Sequence, residues 1–169
     1  ESLGILAVDT VKSERLLTQS DMNLLQGIAS QTAVSIANAS SFQQLQVSEE
    51  KYRTILESIE DSYFEVDLSG NLVFFNNSTS KMLGYSRNEL LGINYRDIMD
   101  ADTAEKVYLT FNAVLHSGET TKALDWKMLR KDTSECFVQA LISPIGGANG
   151  DPIGFRGVAR DMSDWIRAE

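Results

Sequence analysis

The sequence is poor in the residues that most often carry chemistry. It holds one cysteine, Cys136, and one histidine, His116. A lone cysteine forms no internal disulfide, which points to a reducing compartment, most simply the cytoplasm. Nucleophilic catalysis needs a base beside a nucleophile, and His116, near a helix end with Ser117 after it, assembles no triad. Its expected partners are the last carbonyls of that helix. Metal sites need clustered Cys, His or carboxylates, and "DADTAE" offers acids only at capping positions. No catalytic or metal-ligating set is therefore assigned. Basic residues are also scarce, with 15 Lys and Arg against 24 Asp and Glu for a net charge of -9. No Lys/Arg stripe offsets that charge, so nucleic acid and anionic lipid heads are poor partners. No apolar run reaches the roughly 18 residues that span a bilayer. The start, "ESLGILAVDT", lacks the basic, then apolar, pattern of a signal peptide. Direct membrane contact is not expected, although a longer parent can be anchored elsewhere.

What is present supports a real core, since 43% of the residues are hydrophobic. A helix opens at "TQSDMNLL", where Thr18 and Asp21 have capping-box spacing. No Pro, and no Gly besides Gly27, interrupts the chain until Gly70. Leu25, Ile28, Thr32, Ile36 and Ala39 form one apolar stripe. From Phe42 the steps become three and four: Phe42, Leu45, Glu49, Tyr52, Leu56 and Ile59, an a/d seam broken only by Glu49. The three-plus-three step from Ala39 to Leu45 is a stammer, so the two halves face different partners. Unbroken from Asp21 to Glu60, the helix would measure roughly 60 Å, longer than one small core covers. Pairing with a second copy is expected; an amphipathic helix folded back on the following domain is the simpler alternative.

Beyond Glu60 the rhythm shortens. "YFEVDLSGNLVFFNN" reads as a hairpin, with Phe64, Val66 and Leu68 alternating, a turn at Ser69-Gly70-Asn71, and an apolar run from Leu72 to Phe75. Short helical pieces follow in "NSTSKMLGY" and "SRNELLG", the second with a Ser86/Glu89 capping box and Gly92 closing the turn. In "DTAEKVYLTFNAVLHSG" the acids Asp102 and Glu105 are expected to cap a longer helix whose face is Ala104, Val107, Phe111 and Val114, ending at Gly118. Three strands complete the pattern: "KALDWKML", "ECFVQALIS" and "PIGFRGVARD", the last two joined by the loop "GGANGDP". That loop lacks the strand, helix and lysine context of a phosphate cradle. The order implies α+β: an antiparallel sheet with helices over one face, preceded by the long helix.

The stretch from about Tyr52 to Glu169 resembles a PAS domain of the sensory-box type. "FEVDLSGNLVFFNNSTSKMLGYSRNELLG" is similar to that family's opening strands and first helices, "VLHSGET" to its approach to the third strand, and "GVARDMS" to its closing strand. The resemblance implies a five-stranded antiparallel sheet. Two departures fall in connections: "MDADT" where many relatives carry a His-Pro-Asp-Asp-like run, and "KDTS" where they carry a Lys-Asp-Gly turn. "GILAVDT" and "LTQSDMNLLQGIASQTAVSIANA" are similar to the last strand and last helix of a GAF domain. Cut from its sheet, a strand over Leu3–Val8 must lose its order or pair with another edge. The expected organisation is a GAF remnant over 1–44, a helical linker and possible coiled coil over 45–60, a PAS domain over 61–162, and the start of an output helix over 163–169.

The resemblance also directs attention to cofactors. Haem-binding relatives place a histidine on the long helix where this chain has Val107, so haem is not expected. Photosensing flavin relatives use a cysteine after "ELLG", where this chain reads "INYRDIMD"; covalent flavin is not expected, and flavin held without a covalent bond stays open. Phe75, Met99, Phe111, Leu124 and Trp126 are candidate lining for a cavity between sheet and helices, as ligand pocket or packed core. Asp161, Met162 and Ser163 match the family's Asp-Ile-Thr signature, where the last strand hands over to an output helix. Ser163 is expected to cap that helix, with Asp164 in its first turn, and Trp165 to lie in a dimer contact. The homodimer is expected through Phe42, Leu45, Tyr52, Leu56, Ile59 and Trp165, with an adjoining output domain. The implied parent is a sensor histidine kinase; a cyclic-dinucleotide enzyme, a transcription factor and a ligand-free spacer are the alternatives.

Overall fold

The computed structural model describes residues 3–8, 16–163 and 165. The chain divides into two compact units, Glu1–Arg53 and Thr54–Glu169. Helix α1 (Gln19–Ser58) opens in the first unit and ends in the second. Its capping box forms as the spacing predicts: the Thr18 amide donates to Asp21 Oδ2 at 2.8 Å, and the Asp21 amide to Thr18 Oγ1 at 3.2 Å. In the first unit the helix keeps many large apolar side chains exposed, among them Ile28, Ile36, Phe42, Leu45 and Tyr52. Glu49, the charged break in the seam, pairs with Arg53 one turn on at 3.2 Å. The strand expected over Leu3–Val8 is not formed. Leu3 to Leu6 instead line a shallow depression together with Ala29, Ala33 and Ile36 of α1. Among the described residues no helix is long and apolar enough to cross a membrane.

The second unit is built on five antiparallel strands: β1 (Ser62–Asp67), β2 (Leu72–Phe75), β3 (Leu124–Leu129), β4 (Glu135–Gly146) and β5 (Pro152–Asp161). Their order across the sheet is β2-β1-β5-β4-β3. Between β2 and β3 run α2 (Asn77–Leu83), α3 (Arg87–Leu90), a 3₁₀ turn at Tyr95–Ile98 and α4 (Ala101–Ser117). Alternation sets the faces: Trp126 and Met128 of β3, and Cys136, Val138, Ala140 and Ile142 of β4, are buried on the side the helices cover. Val107, Phe111 and Val114 are the buried stripe of α4. Phe111 stacks on Phe155 of β5 at 4.4 Å between centroids and meets Tyr95 edge-on at 5.4 Å. Gly154 is required by close approach, since a Cβ there would come within 2.3 Å of the Val66 carbonyl oxygen.

Several expectations need correction. Leu68 lies beyond the end of β1 and is exposed, because the chain already turns at Asp67, whose carboxylate accepts the Ser69 and Asn71 amides. Helix α4 is capped by Asp100, not Asp102: the Thr103 amide donates to Asp100 Oδ1 at 2.8 Å, while Lys127 holds the other oxygen at 2.6 Å. Leu56 and Ile59 do not extend an exposed seam. Helix α1 stops at Ser58, Leu56 is buried within the chain, and Ile59 is half-buried beyond the helix end.

The stop of α1 has a specific cause. Asn76, completely buried, donates from Nδ2 to the carbonyls of Leu56 and Asp61, both at 3.0 Å. Its Oδ1 accepts the amides of Tyr63 at 3.0 Å and Thr79 at 3.2 Å, the latter capping α2. One side chain thus joins the last turn of α1, the start of β1 and the start of α2. The "KDTS" departure is resolved just as locally. Thr133 sits at φ 66, the left-handed conformation that glycine adopts freely and a β-branched residue resists. Asp132 compensates by accepting both the amide and the hydroxyl of Ser134, at 2.9 and 2.6 Å.

Two stability changes follow. Asn76→Ala leaves buried donors and acceptors unpaired and is expected to cost about 3 kcal/mol in urea unfolding. Thr133→Gly relieves the left-handed strain and is expected to raise the unfolding free energy measured in urea by about 1 kcal/mol, while the same change at half-buried Thr110 in α4 lowers it.

Candidate functional site

Between the sheet and α2, α4 and the 3₁₀ turn lies an apolar cavity of about 30 Å³. Its wall includes Phe64 and Val66 of β1, Met82 and Leu83 of α2, Tyr95, Ile98 and Met99, Phe111 of α4, and Trp126 and Met128 of β3. Of the five residues expected to line it, Met99, Phe111 and Trp126 do. Phe75 is fully buried in the same core beneath the Arg87 guanidinium, 5.0 Å away, and Leu124 is half-buried against that core; neither faces the cavity. Small-molecule pockets run to about 300 Å³ and more, so this space is an order of magnitude short of one. The groups that the resemblance links to haem and to covalent flavin are missing: Val107 stands on α4 where it lines the cavity, and the 3₁₀ turn carries no cysteine; the wall is almost wholly apolar. Its polar groups are the Ser62 and Thr79 hydroxyls, bonded to each other at 2.8 Å, and the Tyr95 hydroxyl, which is buried without a hydrogen-bond partner. Burial pushes the Tyr95 phenol above its ordinary value. Nothing in the sequence singles out Tyr95 or signals that its polar end lacks a partner.

The end of β5 is a second polar constellation. Asp161 Oδ1 accepts the Ser163 amide at 2.8 Å, and Oδ2 pairs with Arg130 at 2.8 Å. Ser163 is buried, and its hydroxyl accepts the Phe137 amide at 3.1 Å and reaches Cys136 Sγ at 3.9 Å. The Met162 amide donates to the Phe137 carbonyl at 2.7 Å. The Ser163 hydroxyl is thus turned into β4, and the helix that it was expected to cap lies largely outside the described residues. Asp164 lies outside the described residues; Trp165 is three-quarters exposed. Burial works to raise the Asp161 carboxyl, but the Ser163 bonds and the nearby Arg130 charge outweigh it and hold it below the usual carboxylate range. Arg130 was not legible as part of this group, since it stands 31 positions from Asp161 and only sheet pairing brings them together. His116 stands apart, its Nδ1 2.7 Å from the Asn112 carbonyl on the exposed end of α4.

Sheet order, helix placement and this closing pair point to one family, and a profile of the PAS domain matches residues 60–164, more than half of the chain. The chain belongs to the PAS domain family. Solved structures agree on the fold. The PAS domain of a Colwellia psychrerythraea protein is 19% identical with a TM-score of 0.62, covering 68% of this chain and 97% of that one. The PAS domain of an HTR-like protein from Haloarcula marismortui is 20% identical at 0.61, covering 73% and 98%. A domain of a sensory box sensor histidine kinase/response regulator from Geobacter sulfurreducens is 19% identical at 0.57, covering 69% and 96%. No curated protein matches the chain. PAS domains are in general regulatory modules without catalysis of their own.

Within this PAS domain Cys136 is chemically quiet. Burial, reinforced by the Asp161 charge, pushes its thiol up to about 11. A raised thiol stays protonated through neutral pH and ionises only as pH climbs toward that value. At pH 8 the folded protein is expected to resist a thiol-specific alkylating reagent that labels the urea-unfolded chain fully. Fast labelling of the folded state would contradict the packing around Ser163.

Proposed function

We propose that the chain is the sensory and signal-relay module of a multidomain signal-transduction protein, most simply a two-component sensor histidine kinase. In this reading residues 1–44 are the end of a GAF domain, 45–60 a helical linker, 61–162 the PAS domain and 163–169 the beginning of the output helix. The observation that carries it is the adjacency of the two ends of the PAS sheet. Ser62, just after α1, pairs with Ala159 of β5, two residues before Asp161. Asp61 and Arg160 bridge the same ends through two bonds of 3.0 and 2.8 Å. What arrives through α1 and what leaves through Ser163 are therefore anchored on neighbouring strands. The printed name of the Geobacter sulfurreducens protein, a sensor histidine kinase/response regulator, supports the choice of parent.

Dimerisation belongs to the same proposal, with a shorter seam than the sequence suggests. Phe42, Leu45 and Tyr52 are more than half exposed and remain available to a second copy, as does Trp165, whereas Leu56 is already buried. Glu49 at the middle of that seam weakens a parallel pair, because two such carboxylates would face each other. The small cavity favours a second reading in one respect: a PAS module that relays with its core packed and holds no ligand of its own. A small ligand would have to displace the flexible Met82, Met99 and Met128 side chains.

The relay is tested in the intact parent by Asp161→Ala. Loss of regulation with output activity retained is expected; unchanged regulation overturns the hand-over role. Native mass spectrometry of this chain is expected to show a dimer, converted to monomer by Phe42→Glu with Leu45→Glu and tightened by Glu49→Leu. Extra mass on the gently purified dimer would favour a ligand-binding PAS over the packed one.

A further inference from the structure

Helix α2 is seven residues long and is gripped at both ends by polar contacts that belong to different parts of the domain. At its start, Asn76 and Ser78 donate to carbonyls at and just past the end of α1: Asn76 Nδ2 reaches Leu56, and the Ser78 hydroxyl donates to Ile59 at 2.8 Å. The Asn77 amide likewise donates to Glu57 Oε2 of α1 at 2.7 Å. At its end, the Met82 carbonyl accepts Arg130 Nε at 2.8 Å, and the Leu83 carbonyl accepts the Lys131 amide at 2.9 Å. Arg130 does not stop there. Its other two nitrogens reach the Glu135 carbonyl at 3.1 Å and Asp161 Oδ2 at 2.8 Å.

We propose that α2 is the mechanical link between the end of α1 and Ser163, with Arg130 as the positioning residue that joins α2 to Asp161. The inference rests on the relay reading above and names the route. The guanidinium is a rigid fork, so a shift of α2 that carries the Met82 carbonyl away either drags Arg130 from Asp161 or breaks the Nε bond. Hydrogen bonds weaken steeply with stretch and misalignment, so the fork cannot keep both partners once they separate. Asp161 in turn holds the Ser163 amide, two positions beyond the end of the strand. Met82 also lines the cavity, so a change of packing there acts on the same joint. A parallel route exists through Asp61 and Arg160. That pair is more exposed, with the Arg160 side chain 67% accessible against 21% for Arg130, and salt screens it more.

The test is the amide hydrogen exchange rate of Ser163, read by NMR in this chain. Glu57→Ala removes the acceptor of the Asn77 amide at the far end of α2 and is expected to speed Ser163 exchange by about fivefold. In an Arg130→Lys background the same change is expected to have no further effect, because lysine keeps a charge for Asp161 but cannot span Met82 and Asp161 together. Arg130→Gln serves as the second background if lysine repacks. The same acceleration with and without Arg130 would overturn the route in favour of the sheet or the Asp61–Arg160 pair. No acceleration by Glu57→Ala in the unmodified background would overturn the coupling altogether. Asp61→Asn is expected to leave Ser163 exchange unchanged. These outcomes are read in the isolated chain, so they stand or fall separately from regulation of the parent by Asp161.

Discussion

A single buried amide sets the geometry on which this PAS domain depends. The unpaired carbonyls at the end of an α-helix have to be received by something, and in α1 the Leu56 carbonyl is received by Asn76. The same side chain fixes the Tyr63 amide at the start of β1 and the Thr79 amide at the start of α2. An isolated buried amide is costly to leave unpaired, so these three elements are constrained to meet where all of its bonds are made. The aromatic core then closes over the arrangement: Phe75 follows from the strand that ends one residue before Asn76, and Leu83 from the helix it caps. Packing supplies most of the free energy of folding, while the amide decides which surfaces pack.

Much of the architecture was readable in the sequence because it rests on local signals. The hairpin at Ser69-Gly70-Asn71, the capping boxes at Thr18/Asp21 and Ser86/Glu89, the glycine stop at Gly118 and the alternation on β3 and β4 all appear where spacing puts them. The failures share a different cause. Asp100 rather than Asp102 caps α4 because Lys127, on a distant strand, also holds it. Leu56 looks like a coiled-coil position, and the heptad pattern has no way to tell a second copy from the chain's own core. Ser163 reads as a cap because serine is a good one, and the pattern has no way to show that its hydroxyl also accepts an amide of β4.

The candidate site was legible to a similar degree. Met99, Phe111 and Trp126 converge because bulky apolar side chains on the inner faces of α4, β3 and the preceding turn can only meet there. That they nearly fill the space is a matter of side-chain volume and rotamer, which periodicity does not encode. Asp161 and Ser163, at the end of β5, were singled out in the sequence, but the arginine that pairs with Asp161, Arg130, belongs to the β3–β4 turn. Thr133 explains how that turn survives without the glycine of its relatives. The hydrogen bonds of Asp132 and Ser134 hold the left-handed conformation in place, so the loop that presents Arg130 keeps its shape at the expense of some strain.

The strand order has a consequence for the birth of the domain. β5 is the last strand to be made, yet it occupies the middle of the sheet, between β1 and β4. Until the ribosome has released the chain through Asp161, β1 with β2 and β3 with β4 are two separate ribbons, each with an open edge waiting for the same missing strand. Two-stranded ribbons are marginal in water, and the loop that must close between β1 and β5 spans nearly the whole domain. Folding of the sheet is therefore a late, concerted event rather than a strand-by-strand one. A nascent chain leaves the unpaired N–H and C=O groups of those edges open to chaperones, or to its neighbours on the same message, for as long as β5 is still in the tunnel.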